Sequence, residues 1–158
     1  AIVGLHLWNN LSLGTVGVRT GPLMAATEQF RCKILGKGGH GAMPHQTVDS
    51  IVVGAQIVNA LQTIVARNVN PIDSAVVTVG KFHAGTAMNV IADTAEIAGT
   101  VRYFNPELGA IIPKRIEQII AGICASYEAA YKLEYKRFYP PVINDAGIAE
   151  LVRSVALE

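Results

Sequence analysis

The stretch "GKGGHGAMPH" at residues 36–45 sets His40 among Gly38, Gly39 and Gly41, with Pro44 and His45 just behind. Glycines on both sides allow positive φ and leave the backbone uncovered, so such a loop can push one imidazole outward toward a ligand. A tight strand-to-helix connection carrying an incidental histidine fits the local sequence equally well. The stretch matches neither the Walker nor the dinucleotide glycine pattern. His6, in "GLHLWN", follows an apolar run, and ligands of open α/β sheets collect at the carboxyl ends of strands. A neutral imidazole there can bind a metal, although a hydrogen-bonded core histidine is the plainer reading. Arg102, on the polar side of "TAEIAGTVRYF", offers a planar fork for a carboxylate or a surface ion pair worth little. Asn89, in "AMNVIAD", reads as a turn residue. His45 reads as capping or packing, and His83 as a loop residue. No Ser–His–Asp or Cys–His set is evident. A catalytic zinc needs about three protein ligands, and no Asp, Glu or Cys stands near His40 at metal-ligand spacing.

The elements that must position these side chains are legible from periodicity. "AIVGLHLW" is continuously apolar, which predicts a strand buried on both faces. "EQFRCKI" alternates, with Phe30, Cys32 and Ile34 inward and Gln29, Arg31 and Lys33 outward. "DSIVVGAQIVNALQTIVARN" predicts a helix with Asp49 as N-cap and a stripe of Ile51, Val52, Ala55, Val58, Leu61 and Val65. "AVVTVGKF" and "TAEIAGTVRYF" predict strands. Asn105 and Pro106 open a second helix, which Pro113 restarts or kinks; its stripe is Leu108, Ile112, Ile116, Ile119, Ile123 and Tyr127. "LEYKRFY" predicts another strand and Asp145 a last helix. From about residue 24 to 140 the order is β-α-β-β-α-β. This is an α+β, ferredoxin-like arrangement: a four-stranded antiparallel sheet with both helices on one face.

The bulk properties narrow the function. Hydrophobic residues make up 51% and charged residues 16% of 158 residues, the composition of a globular chain. A net charge of +1 gives no electrostatic case for nucleic acid or an anionic membrane. The longest apolar runs in the sequence are too short to span a bilayer, and no signal peptide is evident. Two cysteines, Cys32 and Cys124, form no CxxC pair; the expected compartment is a reducing cytoplasm. The opening in an apolar run and the close within a helical pattern predict that both ends are cuts in a longer protein.

Five stretches together, "GLHLWNNLSLGTVGVRTGPLMAA", "GKGGHGAMPHQTVDSI", "ALQTIVARNVNP", "AMNVIAD" and "AGTVRYF", resemble the middle of one family. It is the metal-dependent amidohydrolase family of hippurate hydrolase, N-acyl-amino-acid amidohydrolases and plant auxin-conjugate hydrolases. Aminoacylase and carboxypeptidase G are more distant members. The likeness covers nearly the whole chain in order. It implies a parent whose α/β catalytic domain holds two divalent ions (zinc, manganese, cobalt or nickel) and carries an inserted ferredoxin-like satellite that mediates homodimerisation. Residues 1–23 would end the first catalytic segment, 24–140 form the satellite, and 141–158 return to the catalytic domain.

The resemblance also implies roles. His40 would reach an active site, in dimeric members often the partner's, and stabilise the oxyanion at the scissile carbonyl. Asn89 would bind substrate, Arg102 would hold its carboxylate, and His6 would be a metal ligand. "NVIAD" and "LWNN" depart from the family where a Pro usually stands. The upstream metal ligands, the general-base Glu and a final His are not in this sequence, so this chain alone is expected to complete no two-metal site and to be inactive. The parent is expected to hydrolyse the N-acyl bond of small N-acyl amino acids such as hippurate-like substrates, with no nucleic-acid or membrane partner. The rival reading is a stand-alone ferredoxin-like module that dimerises or binds a ligand without catalysis. An RNA-binding module on this topology lacks both net charge and an aromatic stacking pattern.

Overall fold

The computed structural model describes residues 1–157. Its centre is a four-stranded antiparallel sheet built from β2 (Thr27–Leu35), β4 (Ala75–Ala84), β6 (Thr94–Tyr103) and β7 (Ala130–Tyr139), in the order β4-β6-β2-β7. With α1 (Ser50–Thr63) after β2 and α2 (Leu108–Ser126) after β6, this is the ferredoxin-like arrangement expected from the sequence. Two-residue strands β3 (Gly39–His40) and β5 (Val90–Ile91) pair outside the main sheet. β1 (Gly21–Met24) pairs with β8 (Val142–Asn144), and α3 (Ala146–Ala156) follows.

The alternation of β2 is realised as read: Phe30, Cys32 and Ile34 are buried, while Gln29, Arg31 and Lys33 are exposed. They pack against Ile97 and Val101 of β6 and beneath both helices. In α1 the Asp49 carboxylate accepts from the backbone N–H groups of Ile51 and Val52, as its N-cap reading predicts. The buried face differs from the predicted stripe. It is Ser50, Val53, Gly54, Ile57 and Leu61, continued by Ile64 of a π-helical turn (Ile64–Asn68), while Ile51 and Val52 are exposed. Gly54 decides the rotation, because a Cβ there would stand 2.7 Å from the Phe82 ring. By length and mean hydropathy (1.3) the helical stretch Ser50–Asn68 is long and apolar enough to cross a membrane, yet this face is the core contact.

α2 runs through Pro113 without a break. Proline lacks the N–H that would bond the Gly109 carbonyl one turn back; that oxygen instead accepts from Arg137 Nη2 at 2.5 Å. The inward residues are Leu108, Ile112, Ile116, Ile120 and Cys124; Ile119 and Ile123 are half-buried, and Tyr127 is exposed.

One expectation fails outright. Residues 1–20 form no strand, and "AIVGLHLW" is exposed throughout. A strand apolar on both faces needs sheet neighbours and two covering layers, and no described residue pairs with it.

The core imposes an alkaline limit. Burial, with Cys124 nearby, pushes the Cys32 thiol from 9.0 up to about 12. Burial and the Glu28 carboxylate push the Tyr103 phenol from 10.0 up to about 12. Both groups fold neutral, so their contribution is complete below the unfolded values and lost as pH rises through the folded ones. Urea unfolding is expected to show constant stability around neutrality and a fall between about pH 9 and pH 12. A flat profile across that window would show that neither group stays protonated in the fold.

Candidate functional site

His40 sits at the tip of an excursion whose neck is closed by two backbone bonds between Lys37 and Val48, each 2.9 Å. Beyond the tip a turn returns the chain, with the Met43 N–H on the His40 carbonyl at 2.8 Å, into a 3-10 turn over Pro44–Gln46. At the base, the buried Ser50 hydroxyl donates to the Ala92 carbonyl at 2.9 Å and ties the start of α1 to the segment after β5. The loop is therefore anchored on both sides although its tip is exposed.

The glycines serve close approach rather than positive φ, which among the described glycines occurs only at Gly14, Gly21 and Gly85. A Cβ on Gly38 would lie 2.9 Å from the Ile91 carbonyl oxygen, and one on Gly41 would lie 3.0 Å from that of Asn89. Bare backbone at these positions lets β3 lie against β5. His40 is then opposite Val90, and the Gly41 N–H donates to the Asn89 carbonyl at 2.8 Å. His40 and Asn89, far apart in sequence, thus occupy one exposed corner.

The orientation of the imidazole is set by a contact that the sequence does not announce. The Ala42 backbone N–H donates to His40 Nδ1 at 3.1 Å. A backbone N–H can only donate, so Nδ1 is the acceptor and the neutral ring carries its proton on Nε2. The corner presents an N–H donor from His40, and the residue just before the strand that pairs with it is Asn89, whose carboxamide makes no hydrogen bond among the described residues. Such a donor suits a carbonyl oxygen that gains negative charge.

The other two candidates lie elsewhere. Arg102 is near the far end of β6 from Thr94, about 27 Å away at the usual rise per residue. Its guanidinium is half-buried and engaged by the sheet: Nη1 donates to the Val101 carbonyl at 2.8 Å, to the Glu28 carbonyl at 3.4 Å and to the Thr100 hydroxyl. His6 lies in the exposed opening segment, where Nδ1 is 2.5 Å from the Leu7 carbonyl and the ring stands edge-on to Trp8 at 5.6 Å. No group of three or more His, Cys, Asp or Glu capable of holding a metal occurs among the described residues. His6 therefore belongs to no such group, and the described residues by themselves do not fit a metal pair.

Comparison with known proteins places these observations in context. The sequence family described as the peptidase dimerisation domain matches residues 28–130. An N-acyl-L-amino acid amidohydrolase of Geobacillus stearothermophilus is 48% identical over 143 residues, covering 90% of this chain and 39% of that protein. An N-acetyl-L-cysteine deacetylase of Bacillus subtilis is 44% identical over 156 residues, 99% of this chain and 38% of that protein. The crystal structure of the Bacillus subtilis YxeP protein, described as a dinuclear metal binding peptidase from the M20 family, superposes with a TM-score of 0.72 at 33% identity. That match covers 96% of this chain and 37% of that one. The chain spans about two fifths of the length of the curated relatives it matches.

Proposed function

Because the chain belongs to the M20 family through its peptidase dimerisation domain, we propose that it is the satellite and flanking portion of an amidohydrolase that releases amino acids from their N-acyl derivatives. Residues 24–140 are the satellite on this reading, with 1–23 and 141–158 belonging to the catalytic domain, in the cytoplasm. The observation that carries it is the corner: the Ala42 N–H on Nδ1 leaves Nε2–H of the exposed His40 available, on a loop whose backbone is bonded to that of Asn89. His40 donates to the acyl oxygen of the substrate as charge builds there, and Asn89 orients the acyl group. Arg102, at the far end of β6, cannot reach that corner within one satellite, and His6 stands in the opening segment outside the satellite, so on this reading they belong to different parts of the assembled site. In the whole protein two divalent ions would be held mainly by residues outside this sequence, with His6 among the ligands, and would supply activated water.

The test is on the whole gene product. N-acetyl and N-benzoyl amino acids are expected to yield free amino acid in the presence of zinc or manganese, with release abolished by a chelator. No release from any member of the panel would overturn the reading in favour of a binding or dimerisation module.

A homodimer through the satellite follows from the same reading. β4 is a sheet edge with unpaired backbone groups. Beside it Ile51 (42%), Val52 (44%) and Phe82 (40%) are exposed. Gly85 abuts Ile51, with a built Cβ 3.5 Å from its Cδ1, and leads into the loop that bears Asn89. Pairing through this edge places the His40–Asn89 corner against the second copy. The double variant Ile51→Glu, Val52→Glu is expected to be monomeric by light scattering after size exclusion; an unchanged dimer would move the interface to the β7 edge.

A further inference from the structure

The face of the main sheet that carries no helix has a charge unlike the rest of the molecule. Strand register places Arg31 and Lys33 of β2, Lys81 of β4, Arg102 of β6, and Lys132 and Lys136 of β7 on this face. Only Glu96 and Glu134 oppose them there. Six cations against two carboxylates leave four net positive charges on this face, whereas the whole chain carries +1. The remainder of the molecule is therefore net negative. Glu96 is already engaged, by Lys81 at 3.0 Å and Arg31 at 3.8 Å. Among the described residues, Lys33, Lys132 and Lys136 have no carboxylate within ion-pair distance.

The face is also concave. A bulge in β4 between Val79 and Lys81, together with the small side chains of Ala98 and Thr100, opens a hollow of about 340 Å³. Arg31 and Lys136 rim it, and Gln29 and Glu134 share its wall. That volume is at the small-molecule end of ligand clefts. The combination has the chemistry to take a carboxylate at the two cations and an amide N–H at Glu134. Apart from Tyr139, opposite Thr27 at the end of β7, the paired outward positions of the four strands carry no Phe, Tyr or Trp, so the hollow and its rim lack the stacking platform that single-stranded nucleic acid uses.

We propose that the helix-free face is a collecting surface for small carboxylates, which draws an anionic N-acyl amino acid toward the His40–Asn89 corner. The proposal rests on the amidohydrolase reading for the identity of the anion, and on charge and shape alone for its attraction. Like-signed side chains over low-dielectric walls raise the local concentration of a counter-ion and speed its arrival. Lys33 and its cross-strand partner Lys132 carry the positive track to the end of the sheet nearest β5.

The experiment is a backbone amide NMR titration of the 158-residue chain with N-acetylalanine and, separately, with its uncharged methyl ester. The acid is expected to shift amides at 29–33, 98–100 and 132–136 and to bind at least about fivefold more weakly at about 300 mM than at about 20 mM salt. The ester is expected to leave those amides in place. The variant Lys33→Glu, Lys132→Glu, Lys136→Glu changes exposed side chains only; it is expected to keep the dispersed spectrum and lose the shifts. Equal response to acid and ester, an unaltered affinity in the variant, or tight binding of a short DNA oligomer with no response to the acid would each overturn the proposal. If the whole gene product releases amino acids but these shifts are absent, only the collecting surface fails. If the shifts appear without hydrolysis, only the enzymatic reading fails.

Discussion

Replacing Glu28 by Ala is expected to lower the unfolding free energy by about 3 kcal/mol, the lower end of the cost of breaking a buried ion pair. Glu28 is 2% exposed and lies on the helix-facing side of β2. Its Oε1 accepts from the Tyr103 hydroxyl at 2.7 Å and stands 3.6 Å from Arg137 Nε; its Oε2 accepts from the Tyr135 hydroxyl. Removing the carboxylate strands two phenol hydroxyls in the interior. The Arg137 side chain is 62% exposed, so its charge stays hydrated, and the upper end of the range does not apply. Arg137 also fills the Gly109 carbonyl left open by Pro113, so the same change loosens the first turns of α2.

Two further variants separate this account from a simple cavity effect. Glu28→Gln keeps the shape and can still bond both hydroxyls, because a phenol oxygen accepts as well as donates; a loss of about 1 kcal/mol is expected. Glu28→Leu combined with Tyr103→Phe and Tyr135→Phe removes every polar partner at once and is expected to recover most of the stability. Urea midpoints at neutral pH measure all three. If Glu28→Ala unfolds at the parent midpoint, burying the carboxylate costs as much as its bonds return.

That cluster was partly legible beforehand. Glu28 falls in the same alternation phase as Phe30, Cys32 and Ile34, and a carboxylate in a core phase signals a buried partner. The partners come from β6 and β7, and no local pattern names them. The sheet itself was readable because β2 and β6 alternate cleanly and their register follows from burial of one face. α1 was readable as a helix but not in its rotation. Ile51, Val52, Val53, Ile57 and Val58 leave the apolar arc too broad for periodicity to choose, and the choice falls to Gly54 under Phe82. Continuous hydrophobicity at 1–8 misled because it marks what a segment needs, not whether neighbours are there to supply it. His40 stood out for its glycines, but their purpose did not. They admit β5, and only that pairing brings Asn89 to the same corner while leaving Arg102 at the other end of β6.

In the whole protein, His40→Ala is expected to lower kcat by about 10²- to 10³-fold, the usual cost of one lost oxyanion donor. KM should change little, because the donor acts on charge that develops in the transition state rather than on the bound ground state. Metal content should be unchanged, since His40 belongs to no group of three or more His, Cys, Asp or Glu able to hold a metal among the described residues. His40→Gln retains a neutral N–H donor on a flexible stem and should recover part of the loss, whereas a histidine serving only to brace the loop would not be rescued this way. The tip is exposed and its neck is held by Lys37 and Val48, so neither variant should alter the melting temperature appreciably. Co-expressing a His40→Ala chain with a chain disabled elsewhere in its catalytic domain then locates the site. Mixed dimers would regain activity if His40 serves the neighbouring subunit, because one composite site would still have both intact parts. They would stay inactive if it serves its own. Unaltered kcat in His40→Ala would remove the corner from the chemistry and leave it as the folded edge of a dimerisation module.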